Sequence, residues 1–132
     1  MKKYCSFENL ECWRQARDLA VDIHRFSSEE NLNGDHVISE QLCRSAISVM
    51  SNIAEGKTIG SDQDFIKYLQ NAKASAAALH SSLIISREIG YLAEGDFIDY
   101  QDRANRISAL IGGLINAITK NNEGKKKTGV CP

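Results

Sequence analysis

The chain has 132 residues, 42% of them hydrophobic, with 16 Lys plus Arg against 17 Asp plus Glu, nine Gly and one Pro. That length supports one domain with a substantial core and excludes two full domains, while the apolar content excludes general disorder. No apolar run reaches the roughly 18 to 20 residues of a membrane span, and Lys2 and Lys3 lead into polar Glu8 and Asn9 without the apolar core of a secretion signal, so a cytoplasmic protein with no membrane partner is expected.

The lone proline is the last residue, so breaks between elements must come from glycine and polar clusters, here at 27–34, 56–60 and 90–95. Residues 1–7 read as an N-terminal extension. The first periodic segment, 8–26, sets Leu10, Trp13, Ala16, Ala20 and Ile23 three or four apart, the stripe of an amphipathic helix. The second, 37–55, aligns Ile38, Leu42, Ala46, Val49 and Ile53, and Ile47, Met50 and Ala54 widen its stripe.

The third segment, 61–88, opens on Ser61 as an N-cap with Asp64 in the acidic place of a capping box, and Gly90 is its C-terminal cap. Phe65, Leu69, Ala72, Ala76, Leu79 and Leu83 mark its seam. The fourth, 94–120, carries Phe97, Tyr100, Ala104, Ile107, Ile111, Leu114 and Ile118 in alternating steps of three and four, and runs through Gly112 and Gly113. Residues 121–132, with Lys125, Lys126 and Lys127, lack an apolar face and are expected to form a flexible basic tail. Four such helices with short connections imply an all-α, antiparallel up-down-up-down four-helix bundle over 8–120. Surplus apolar groups on the second and fourth helices, with Phe65, Ile66 and Tyr68, imply a second buried surface and a homo-oligomer.

Reactive groups are sparse. Cys5, Cys12, Cys43 and Cys131 form no C-x-x-C pair; Cys43 is expected in the core and Cys12 partly exposed, all as reduced thiols. Gly56, Lys57 and Thr58 imitate the end of a phosphate loop, yet the upstream glycine is missing and a helix precedes them where a strand belongs. None of His24, His36 and His80 has a Glu three residues before it, as a bundle-borne dimetal centre needs. No metal, cofactor or catalytic residue is expected, and the chain reads as a non-enzyme.

Charge offers one further test. Residues 8–120 hold 11 basic against 16 acidic side chains, a net charge of −5. A nucleic-acid site would need cations gathered on one face or supplied by the tails. The candidate contacts are Arg14, Arg17 and Arg25 on the first helix and Lys125, Lys126 and Lys127 in the tail; elsewhere Glu40 and Arg44 are spaced as an ordinary surface pair.

The runs Phe7-Glu8-Asn9-Leu10-Glu11-Cys12-Trp13 and Ser48-Val49-Met50-Ser51-Asn52-Ile53-Ala54-Glu55-Gly56, followed by Asp64-Phe65-Ile66-Lys67-Tyr68-Leu69 and Arg87-Glu88-Ile89-Gly90-Tyr91-Leu92, carry a resemblance over most of the chain. They resemble the bacterial four-helix-bundle family encoded by intervening sequences in 23S ribosomal RNA genes. That resemblance implies an antiparallel bundle assembled as a ring-like pentamer, with no known catalytic site. A related branch, accessory proteins of diversity-generating retroelements, resembles basic pentameric barrels that engage nucleic acid and a reverse transcriptase; the present chain lacks their positive charge. Met50, Ala74, Ala78 and His80 depart from the family's usual proline, glycine and two glutamates.

Within the signature Ser48, Asn52, Ile53, Ala54, Glu55 and Gly56, structural roles are expected: the Asn52 amide cross-linking a neighbouring backbone, and Glu55 pairing with Arg44 or Lys73. The leading functional expectation is a self-associating, non-catalytic helical scaffold with a macromolecular partner, a protein in the first instance. The alternative is weak electrostatic binding of RNA or DNA.

Overall fold

A computed structural model describes residues 6–28 and 30–128, with side chains to 123. Four helices, α1 (Glu11–Ser28), α2 (His36–Ile59), α3 (Asp62–Ile89) and α4 (Glu94–Thr128), are preceded and interrupted by 3-10 turns at Phe7–Asn9 and Glu30–Leu32. Consecutive helices pack side by side and α4 closes back on α1, so the four wind around one core as a bundle. Three contacts between neighbours set the antiparallel register: Arg103 to Asp22 at 2.8 Å, Ser48 to Ser75 at 2.8 Å and Tyr91 to Asp35 at 2.9 Å.

The buried residues follow the predicted seams. On α3 they are Phe65, Leu69, Ala72, Ala76, Leu79, Leu83 and Ser86, and they face Leu42, Val49 and Ile53 of α2 and Ala104, Ile107 and Ile111 of α4 across the same core. The stripe on α1 is wider than its sequence pattern, because Cys12 and Leu19 form a second line beside Trp13 and Ala20. Cys12 is therefore buried, not partly exposed, and burial pushes its thiol up. Cys43 departs in the other direction: it is half-buried beside the His24 ring, with Sγ 3.7 Å from Nδ1. Under native conditions a thiol reagent is expected to modify Cys43 and leave Cys12 unmodified until the protein unfolds. Mass mapping of the labelled peptides checks this.

Element ends follow local chemistry. At the N-terminus a 3-10 turn replaces the first predicted helical turn. Ser6 caps it, Leu10 is extended at φ −80° and ψ 128°, and the α-helix begins at Glu11 rather than near residue 8. Ser61 accepts from the Asp64 N–H at 3.1 Å as expected, and Gly60 and Gly90 stop α2 and α3 in left-handed geometry at φ 98° and 100°. Gly56 does not end α2, which continues to Ile59. Beyond residue 120, where a flexible tail is expected, α4 continues as helix to Thr128. Leu32, inside the predicted break at 27–34, is 1% exposed because the Glu30–Leu32 turn folds it into the core.

A contact absent from the sequence reading closes this end of the bundle. Asp35 caps α2 by accepting from the Ile38 N–H at 3.1 Å, while its second oxygen accepts from the Tyr91 hydroxyl at 2.9 Å. The Ile38 amide and then the Tyr91 hydroxyl hold the Asp35 carboxyl below its usual range, and the same bond raises the Tyr91 phenol. A depressed carboxyl stabilises the fold at neutral pH and loses that contribution as pH falls through its folded value, below about 3.9. A raised phenol stabilises the fold below about pH 10 and loses its contribution as pH rises through the folded value. Tyr91→Phe is expected to lessen both the alkaline and the acid loss, with the alkaline remainder coming from Tyr100, whose phenol is also pushed up by burial, whereas Asp35→Asn weakens both. Thermal melts from pH 3 to pH 11 measure the two.

Candidate functional site

The signature segment lies on the α2–α3 seam, where Ser48, Asn52 and Gly56 recur every four residues on one side of α2. Asn52 Nδ2 donates to the Ser48 carbonyl at 2.9 Å and to Ser48 Oγ at 3.1 Å. Ser48 and Ser75 hydroxyls meet at 2.8 Å, and Ser75 donates to the Asn71 carbonyl at 3.1 Å. With one proton per hydroxyl, the direction is set: Asn52 to Ser48, Ser48 to Ser75, Ser75 to Asn71. The Asn52 amide thus acts within its own helix and reaches α3 through Ser48, instead of cross-linking a neighbouring backbone directly.

One turn further on, Gly56 is buried against α3. A Cβ there would stand 2.7 Å from Tyr68 Cβ and 3.0 Å from Phe65 Cδ1. Ile53 is fully buried, Ala54 half-buried and Glu55 exposed. Neither expected partner of Glu55 is in place. Arg44 pairs with Glu40 one turn before it, leaving Glu55 about 16 Å further along the helix. Lys73 reaches instead toward Gly112 of α4. Apart from Glu55, these residues are packing and hydrogen-bonding groups along the seam where α2 and α3 approach closely.

The predicted cationic contacts do not converge into a basic patch among the described residues. Arg14, Arg17 and Arg25 occupy a sector of roughly 80° on α1, but Arg14 pairs with Glu11 at 2.8 Å and Arg17 with Asp18 at 3.0 Å while lying over the Trp13 ring. Hydrogen bonds from Gln15 and then Arg14 hold the Glu11 carboxyl below its usual range. Arg25 stands at the far end of α1, beside a cleft it shares with Asp22, Asp96 and Asp99. The side chains of Lys125, Lys126 and Lys127 lie outside the described residues, as do Lys2, Lys3, Cys5 and Cys131.

Apolar surface is more organised. The reading from sequence puts the surplus on the second and fourth helices with Phe65, Ile66 and Tyr68. Phe65 is in the core, and Ile66 and Tyr68 are half-buried. The second helix does expose Val37, Ile47 and Ile59 and the fourth exposes Ile98, and a further outward stripe, not expected from sequence, runs along α3, where Ala74, Ala78, Ile85 and Ile89 are all exposed at spacings of four, seven and four. Ile85 is 46% exposed and Ile89 49%. This second line on the helix had been hidden by the core seam interleaved with it, since both have helical spacing.

Among the described residues no three His, Cys, Asp or Glu side chains form a group that could hold a metal ion. No helix among them is long and apolar enough to cross a membrane.

A model of the 23S rRNA-intervening sequence protein family matches residues 8–113. The chain belongs to that family. No curated protein matches it. Its fold is similar to the crystal structure of a protein of unknown function from the S23 ribosomal protein family of Bacteroides thetaiotaomicron, with a TM-score of 0.72 and 24% identity over 79% of this chain and 97% of the other.

Proposed function

We propose that this member of the 23S rRNA-intervening sequence protein family is a non-catalytic helical scaffold that associates with copies of itself and presents a repeated surface to a macromolecular partner. The supporting observation is the outward stripe of Ala74, Ala78, Ile85 and Ile89 on α3. Small and β-branched apolar residues at heptad-like spacing suit the approach of another helix, and a monomer leaves them in water. A ring-like pentamer is the assembly that the family resemblance favours. The test is the native mass of the untagged chain. A multiple of 14.6 kDa supports the scaffold, and a strict monomer at high micromolar concentration overturns it.

A second reading, electrostatic binding of RNA or DNA, has one observation in its favour: α4 carries Lys125, Lys126 and Lys127 within one helical turn near its end. Copies of that turn around an oligomer would add weak phosphate contacts into measurable avidity. Titration of labelled structured RNA and duplex DNA should then give saturable binding that weakens steeply with salt. Removal of residues 121–132 is expected to lower both affinity and salt slope, and an unchanged isotherm would eliminate this mechanism.

A further inference from the structure

A groove of about 340 Å³ lies between α3 and α4, away from the outward stripe of α3. Gln101, Asn105 and Ser108 of α4 line it at steps of four and three, and Lys73 and His80 of α3 line it two turns apart. Ala76 and Ala104 also line it, and side chains that stop at Cβ leave open the space that larger residues would fill. Its size is within the range of small-molecule sites, about 300–1,000 Å³.

The polar groups are unevenly satisfied. No carboxylate lines the groove, and Lys73 has no ion pair among the described residues; its ammonium lies 3.7 Å from where a Cβ on Gly112 would stand. Gln101 is 8% exposed. Its Nε2 donates to Asn105 Oδ1 at 3.0 Å, whereas its Oε1 is buried without a partner. Buried carbonyls of this kind are rare unless a water or ligand supplies the donor. With Gln101 Nε2 donating to Asn105 Oδ1, the coupled amides still offer the Gln101 Oε1 acceptor and the Asn105 Nδ2 donors side by side. The terminal torsion of a glutamine is soft, so a small rotation suffices to bring Oε1 onto a donor entering the groove.

We propose that this groove binds a nucleoside monophosphate. Lys73 and the Ser108 hydroxyl hold the phosphate. Gln101 Oε1 and Asn105 Nδ2 together meet the adjacent donor and acceptor on the edge of the base, and His80 forms the wall beside them. Ser108 and Gln101 are seven residues apart, about 10 Å along the helix, a span that one nucleotide bridges. The site is separate from the self-association surface, so either proposal can fail alone.

The test is calorimetric titration of the full-length protein with AMP, ribose 5-phosphate and inorganic phosphate. The expected result is saturable binding of one AMP per chain, at least tenfold tighter than ribose 5-phosphate. Lys73→Ala weakens AMP and ribose 5-phosphate alike by tenfold or more. Gln101→Leu and Asn105→Ala weaken AMP alone; Asn105 is exposed, so its variant remains folded if the Gln101 variant does not, and thermal melts verify this. Equal affinity for AMP and ribose 5-phosphate, no binding of AMP at millimolar concentration, or undiminished AMP binding by Lys73→Ala would each overturn the assignment.

Discussion

Replacing Gly56 by alanine is expected to destabilise the protein by about 1–3 kcal/mol, the usual cost of overpacking a filled interior, although alanine is better than glycine within a helix by roughly 1 kcal/mol. The reason is the identity of the nearest atom. A Cβ on Gly56 would meet Tyr68 Cβ at 2.7 Å and the Phe65 carbonyl oxygen at 3.3 Å, and neither is the movable end of a flexible side chain. The helices must separate, or Phe65 and Tyr68 must leave their places. Tyr68→Ala does not rescue the variant, since alanine keeps the offending Cβ, and the double variant is less stable still. Gly113 is the internal control: a Cβ there meets nothing within 4 Å, so Gly113→Ala should gain about 1 kcal/mol from helix propensity. Urea denaturation of the three variants measures these differences, and a Gly56→Ala protein as stable as the parent would mean that α2 and α3 lie further apart than described.

The contrast between these glycines shows what a single sequence makes legible. Apolar periodicity locates the cores of all four helices, because burial on one side is written directly into residue spacing. The caps at Ser61 and Gly90 are equally legible, each being a short-range demand of backbone geometry. Gly56, in contrast, looks like a break and is an interior contact, since its role depends on a neighbouring helix and not on its own turn. The Tyr91–Asp35 bond joins residues 56 positions apart, with only the preference of aspartate for N-caps as a signal, and that signal names no partner. Gln101 sits one residue after Tyr100 of the predicted seam, and its spacing of four to Asn105 is all that the sequence offered of the groove. Glu55 follows Arg44 by eleven residues, about three turns of α2, and Lys73 turns toward α4, so opposite charge alone names no partner for it.

Ile85→Glu is expected to convert an assembled protein to a 14.6 kDa monomer with little change in the stability of the isolated bundle. Ile85 is 46% exposed and stands on the opposite side of α3 from the core seam, so the substitution removes few internal contacts and should alter folding by no more than about 0.5 kcal/mol. Against another copy the effect is larger. Two apolar side chains of the size of Ile85 and Ile89 each contribute about 1.5–3 kcal/mol on full burial, and a glutamate in their place leaves an ion without a partner in a drying seam. Self-association also links unfolding to concentration: the parent should melt at a higher temperature as protein concentration rises, and Ile85→Glu should lose that dependence. Ile98→Glu is the control, because Ile98 is similarly exposed, at 51%, but lies on α4 away from the stripe. Native mass spectrometry and concentration-dependent melts distinguish the outcomes. Assembly broken by Ile98→Glu and retained by Ile85→Glu would move the interface to α4, and the α3 stripe would then need another occupant.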